Sequence, residues 1–123
     1  MREKKEKIDK SLLKAIPYEM DEKVEVSYIT EEFTCLCPWT GLPDFGKLTI
    51  NYVPSNKLIE LKSLKFYLLS FRNAGIINEH AAARILKDLS SLINPERMEV
   101  KIEFKPRGGI MTVVSAKFPE EKK

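Results

Sequence analysis

The chain has two cysteines, one histidine and one tryptophan, and no apolar run approaches the ~20 residues of a membrane-spanning helix. Each scarcity excludes something. Cys35 and Cys37 stand too close in sequence for unstrained disulfide geometry, so they read as reduced thiols of a reducing compartment. Zinc needs about four ligands, and Cys35, Cys37 and His80 with scattered carboxylates compose no such set, so no metal is expected. The amino-terminal ten residues, "MREKKEKIDK", are charged without an apolar stretch behind them; they are no secretory signal, and a cytoplasmic protein is expected. Charge of one sign is missing too. A net charge of +3 arises from 21 basic and 18 acidic residues that interleave along the chain, which argues against a nucleic-acid groove.

What is present suits one domain. At 123 residues and 43% hydrophobic content, a core can form without staples. Residues 1–20 read as a charged tail, or in part as a peripheral helix ending at Pro17, and residues 21–123 as the domain. Val24, Val26 and Tyr28 alternate with polar residues, as do Leu48, Ile50 and Tyr52, which predicts two strands, the second ended by Pro54–Lys57. Leu61, Leu64, Leu68 and Phe71 then form one helical stripe, with Ser63 as N-cap and Asn73–Gly75 as the end. A second helix is predicted from Asn78, with Ala82, Ile85, Leu89 and Leu92 on one face, stopping before Pro95. Met98, Val100, Ile102 and Phe104 restore an unbroken alternation; "KPRGG" turns the chain, and Ile110–Phe118 supplies a last strand. The order ββααββ predicts an α+β fold, a four-stranded antiparallel sheet with two helices on one face. Its exposed edges favour assembly by sheet extension, which would place a site between subunits.

The chemistry concentrates in "FTCLCPWTGLPDFG", Phe33–Gly46, which Pro38, Gly41 and Pro43 mark as a loop with defined turns. Cys37 there is either a nucleophile, its thiolate stabilised by nearby donors or cations, or a packing thiol; Cys35 is taken as packing. Asp44 is a general acid or base, or a turn former after Pro43. In "ELKSLKFY", Glu60–Tyr67, Lys62 and Lys65 project from one helical face near its N-terminus, fit for a phosphate-bearing ligand or simply a solvated face. "RGG", Arg107–Gly109, lets backbone approach a ligand closely, or is only a hairpin turn. Glu79 of "NEH" could accept N–H groups of a heterocycle or complement a helix dipole, and the position of His80 does not decide its role.

In this order the four pieces resemble the QueF family of nitrile reductases in its short single-module form, from about Phe33 to Phe118. "CPWTGLPDF" and "ELKSLKFY" are the most specific marks, and the second is similar to the family's signature for NADPH use, with Phe66 a slight departure. The resemblance implies NADPH-dependent reduction of the nitrile of 7-cyano-7-deazaguanine to the 7-aminomethyl base in queuosine biosynthesis, without metal. It implies that Cys37 forms a covalent thioimide and that Asp44 protonates the nitrile nitrogen. Ile59, Glu60 and Leu61 would line the base's pocket, with Asn78 and Glu79 at its pyrimidine edge, and Lys62, Arg107 and Gly108 would contact NADPH. Leu61 stands where many members have Ser, and Asn78 where many have His. The implied architecture is the tunnelling fold, a homo-oligomer whose sheets join into stacked rings, expected as a decamer, with no nucleic acid or membrane partner. Two other readings share parts of this pattern: a QueF-like amidinotransferase that makes archaeosine in transfer RNA, expected to lack "ELKSLKFY", and a non-catalytic deazapurine-binding protein of the same fold.

Overall fold

The unbroken alternation of Met98–Phe104 forms the strand it predicts, and the rest of the sheet is built around it. The computed structural model describes residues 8–120. Its strands are β1 (Ala15–Pro17), β2 (Val26–Leu36), β3 (Pro43–Val53), β4 (Lys57–Ile59), β5 (Arg97–Phe104) and β6 (Val113–Phe118); its helices, between β4 and β5, are α1 (Leu61–Leu69) and α2 (Asn78–Ile93). β2, β3, β5 and β6 form a four-stranded antiparallel sheet in that order, and β1 and β4 pair as a small separate ribbon.

One face of the sheet is apolar because the strands alternate. Leu48, Ile50 and Tyr52 of β3 and Met98, Val100, Ile102 and Phe104 of β5 are buried against Leu64 and Tyr67 of α1 and Ala82, Ile85 and Leu89 of α2. Each such side chain withdrawn from water contributes about 1.5–3 kcal/mol, so this shared face is the main source of cohesion. The two helices are also joined by a polar contact: the Tyr67 hydroxyl donates to the buried Asp88 carboxylate at 2.6 Å, and Arg84 Nε reaches the same oxygen at 2.8 Å. α2 ends as its sequence asks, before Pro95, with Asn94 in the left-handed conformation at φ 45°.

Four local expectations are corrected. The segment Phe33–Gly46 is mostly strand: β2 continues to Leu36 and β3 begins at Pro43, which leaves a tight connection of residues 37–42. Pro43 is accommodated as the first residue of its strand, where no ladder donor is lost. α1 is capped by Glu60, not Ser63; the Glu60 carboxylate accepts from the backbone N–H groups of Lys62 at 2.9 Å and Ser63 at 2.8 Å. α1 also stops at Leu69, before Asn73–Gly75, and the last strand starts at Val113 because Arg107–Ile110 closes a turn of its own.

Part of the segment read as a tail is packed. Lys10–Leu12 makes one 3₁₀ turn, Leu13 is buried in the core, and Ala15–Pro17 pairs with Ile59–Lys57. Residues 1–7 of that segment, and 121–123 of the expected domain, lie outside the described residues.

Candidate active site

A bulge in β2 sets which thiol faces what. The pairing of Thr30 with Leu48 and of Phe33 with Gly46 differs by one residue, so an extra residue is inserted at Glu31–Glu32. Because side chains alternate, one extra residue exchanges the two faces. Val26, Tyr28 and Thr30 lean toward the helices before the bulge; Phe33 and Cys35 do so after it, both buried. Cys37 lies just past the end of β2 and is half-buried. Cys35 lies directly opposite Asp44 on β3, whose own alternation with Gly46 and Leu48 turns its carboxylate inward, where it is 6% exposed.

The connection between these strands is shaped around Cys37. Its N–H donates to the Leu42 carbonyl at 2.9 Å and its carbonyl accepts from Gly41 N–H at 2.8 Å, so residues 37–42 close on themselves. The Thr40 hydroxyl, then the Thr40 and Trp39 backbone N–H groups, and the Arg107 guanidinium all donate toward the sulfur; together they lower the Cys37 thiol from its ordinary 9.0 to about 7. Burial does the opposite to Cys35, pushing it up to about 12, with the Asp44 charge adding to the rise. One thiol is available as thiolate at neutral pH and its neighbour is not.

Arg107 arrives from the turn between β5 and β6. Arg107 and Ile110 exchange backbone hydrogen bonds of 3.0 and 3.1 Å around Gly108 (φ 61°) and Gly109 (φ 81°), a left-handed pair that other residues adopt only with strain. From there Arg107 Nη1 reaches Asp44 Oδ1 at 2.6 Å. The guanidinium is half-exposed and lines, with Asp44, Phe45 and Lys105, a shallow recess of about 330 Å³. Its contacts with Asp44, then with Cys37, hold its own pKa above the usual value.

The start of α2 is drawn to the same corner. Leu36 N–H donates to the Ala74 carbonyl at 2.9 Å and the Leu36 carbonyl accepts from Ile76 N–H at 3.0 Å, a parallel bridge at the Cys37 end of β2. Two residues later α2 opens with Asn78 and the exposed Glu79. Asn78 Oδ1 is buried without a hydrogen-bond partner.

Ile59, Glu60, Leu61 and Lys62 lie elsewhere. Ile59 is in the core; its N–H donates to the Tyr52 hydroxyl and its carbonyl accepts from the Tyr28 hydroxyl, both at 3.2 Å. The backbone donors that cap it hold Glu60 below the usual carboxylate range. Leu61, Lys62 and Lys65 are exposed and open onto a cavity of about 600 Å³, walled by Ile29, Ile50 and Leu64 among others. This cavity lies against Tyr28–Thr30 and Glu32 of β2, and its lining includes none of Cys37, Asp44 and Arg107. One subunit therefore unites Cys37, Asp44 and Arg107 near Asn78 and Glu79, and does not unite them with Ile59–Lys62.

Comparisons with known proteins give the family. A family model described as QueF-like protein matches residues 43–123. The chain belongs to the QueF family. It is 59% identical over 118 residues, 95% of this chain and 89% of the relative, to the NADPH-dependent 7-cyano-7-deazaguanine reductase of Thermoanaerobacter pseudethanolicus. It is 61% identical over 114 residues, 92% of this chain and 87% of the relative, to the protein of the same name from Caldicellulosiruptor bescii. The apo crystal structure of the archaeosine synthase QueF-Like matches 85% of this chain and 100% of its own with a TM-score of 0.71; at 18% identity that likeness establishes the shared tunnelling fold.

Within this QueF chain, Thr40 is the sulfur donor that the sequence reading missed. Its signal was a hydroxyl three residues after Cys37 inside a Pro–Gly turn. The contact of Arg107 with Asp44 was missed as well. Gly46 pairs with Phe104, so the start of β3 runs beside the residues that follow β5, a proximity visible only once the strands are in register.

Proposed function

We propose that this chain is an NADPH-dependent 7-cyano-7-deazaguanine reductase that converts the nitrile to the 7-aminomethyl group through a Cys37 thioimide, in the cytoplasm, as part of queuosine biosynthesis. The observation that carries the reading is that Arg107 meets the buried Asp44 carboxyl at 2.6 Å and also donates toward the Cys37 sulfur, which brings thiol and carboxyl to one corner. The names of the 59% and 61% identical relatives supply the substrate and the reductant.

A nitrile carbon is a weak electrophile, and addition of the Cys37 sulfur replaces it with the more reactive carbon of a thioimide. As the sulfur bonds to that carbon, one π pair moves to nitrogen, where Asp44 delivers a proton. Glu79, exposed on the first turn of α2, is free to accept N–H groups from the edge of the base. NADPH, when bound, supplies hydride, two equivalents for each nitrile carried to the amine. Lys62 and Lys65 fit its phosphates: both ammonium groups border an apolar-walled cavity of ordinary ligand size. The helix N-terminus itself is a weaker anion site than its position suggested, because Glu60 already occupies the Lys62 and Ser63 N–H groups.

We further propose that a second copy completes each site. Reaction needs reductant and thioimide in contact, and in one subunit the Lys62 cavity is lined by none of Cys37, Asp44 and Arg107. β2 and β6 are open edges, and Ile110, Met111 and Val113 near β6 are exposed, as sheet extension into stacked rings requires. The amidinotransferase reading uses the same Cys and Asp but no reductant, and "ELKSLKFY" favours the reductase.

Purified protein supplied with cyano-deazaguanine should oxidise two NADPH for each amine formed. Covalent capture of the base without NADPH oxidation would favour amidinotransfer, and neither event would overturn the reading.

A further inference from the structure

We infer that Arg107 is a positioning residue for the thiol addition itself, holding Asp44 as the acceptor of the Cys37 proton, and not solely a contact for cofactor. The inference rests on the function proposed above. Its ground is geometric: a half-exposed guanidinium reaches into the corner and meets the buried Asp44 Oδ1 at 2.6 Å, while also donating toward the Cys37 sulfur. The turn that carries it is fixed by its own backbone hydrogen bonds and by two left-handed glycines, so the side chain is presented from a preset hairpin.

Proton accounting gives this contact a purpose. The guanidinium of Arg107 donates to the carboxyl group that has to carry a proton from sulfur to nitrogen. The Cys37 Sγ–H supplies it. The proton passes to Asp44, the sulfur attacks the nitrile carbon, the π pair moves to nitrogen, and nitrogen takes the proton from Asp44. The sum is addition of S–H across C≡N, with Asp44 returned to its pair with Arg107. Arg107 stands at both ends of this transfer, since it favours the anionic sulfur and donates to Asp44 Oδ1.

The other charged groups at the corner do not substitute for it. Lys105 lines the same recess, Cys35 is held neutral by burial, and the first turn of α2 brings Glu79 and His80, but the contact with Asp44 Oδ1 is made by Arg107. The Cys37 shift draws on Thr40, Trp39 and Arg107.

The experiment uses the assembled enzyme without NADPH, comparing wild type with R107A, R107Q and R107K. Two quantities are read: the pH midpoint of Cys37 alkylation by iodoacetamide, mapped by mass, and the rate at which cyano-deazaguanine forms its adduct. In R107A and R107Q the midpoint should rise from about 7 part of the way to 9.0, since the Thr40 and Trp39 donors remain. Adduct formation at neutral pH should slow roughly three- to tenfold through the lost thiolate alone. R107K should recover part of both. An unchanged midpoint and an unchanged adduct rate in R107A and R107Q would overturn the inference. R107Q carries the test if R107A fails to fold. Alkylation needs no nitrile, so if wild type forms no adduct the functional reading fails while the midpoint still decides the effect of Arg107 on the thiol.

Discussion

Cys35 and Asp44 stand directly opposite each other across the β2–β3 hairpin, and Cys37, two residues on, opens the connection that closes it. The two thiols nonetheless face different surroundings. Burial raises Cys35 to about 12, while donors from Thr40, Trp39 and Arg107 lower Cys37 to about 7.

This difference predicts a selective reaction. Iodoacetamide should modify Cys37 with a rate that rises with pH through about 7, because a lowered thiol pKa places the thiolate above that value and loses it below. Cys35 should stay unmodified until the protein unfolds. Peptide mapping across pH 5–9 checks both statements; equal labelling of the two residues would contradict them.

Asp44→Asn should remove the proton carrier while leaving a side chain of similar shape. Turnover is expected to fall about 10²–10⁴-fold, the range typical of a lost acid–base group. The ion pair with Arg107 is lost in the same step, so adduct formation should fall along with reduction. Single-turnover measurements with and without NADPH separate the two stages. A variant slowed only in the hydride steps would place Asp44 later in the reaction.

Much of this was legible in sequence, for identifiable reasons. Met98–Phe104 and the Ala82, Ile85 and Leu89 face of α2 are long periodic patterns, and they fold as written. β1 and β4 are three residues each, too short to show a period, and their ribbon depends on Tyr28 and Tyr52 reaching Ile59. The Glu31–Glu32 bulge reads as a break in alternation, since nothing local says that the faces exchange there. Ser63 is the better N-cap by residue type, but its hydroxyl bonds to the Glu60 carbonyl at 2.7 Å and accepts from Lys14 N–H at 3.0 Å, leaving the cap to Glu60. Cys37 and Asp44 were legible as a motif; their meeting with Arg107 depends on the strand register.

Tyr67→Phe tests the helix pair. It removes the donor to the buried Asp88 oxygen and leaves that carboxylate to Arg84, which should cost about 1–3 kcal/mol of stability. Denaturant unfolding at neutral pH measures the loss. Alkylation of Cys37 in the folded variant should keep its midpoint, because Asp88 lies on α2 and takes no part in the donor set around the sulfur.

The most direct test of the account is the intact mass of the protein after incubation with 7-cyano-7-deazaguanine in the absence of NADPH. Wild type should gain one base per subunit, mapped to Cys37, and the adduct should vanish when NADPH is added as the amine appears; Cys37→Ala should assemble but neither gain mass nor turn over. An active Cys37→Ala enzyme, or an adduct mapped to Cys35, would contradict it.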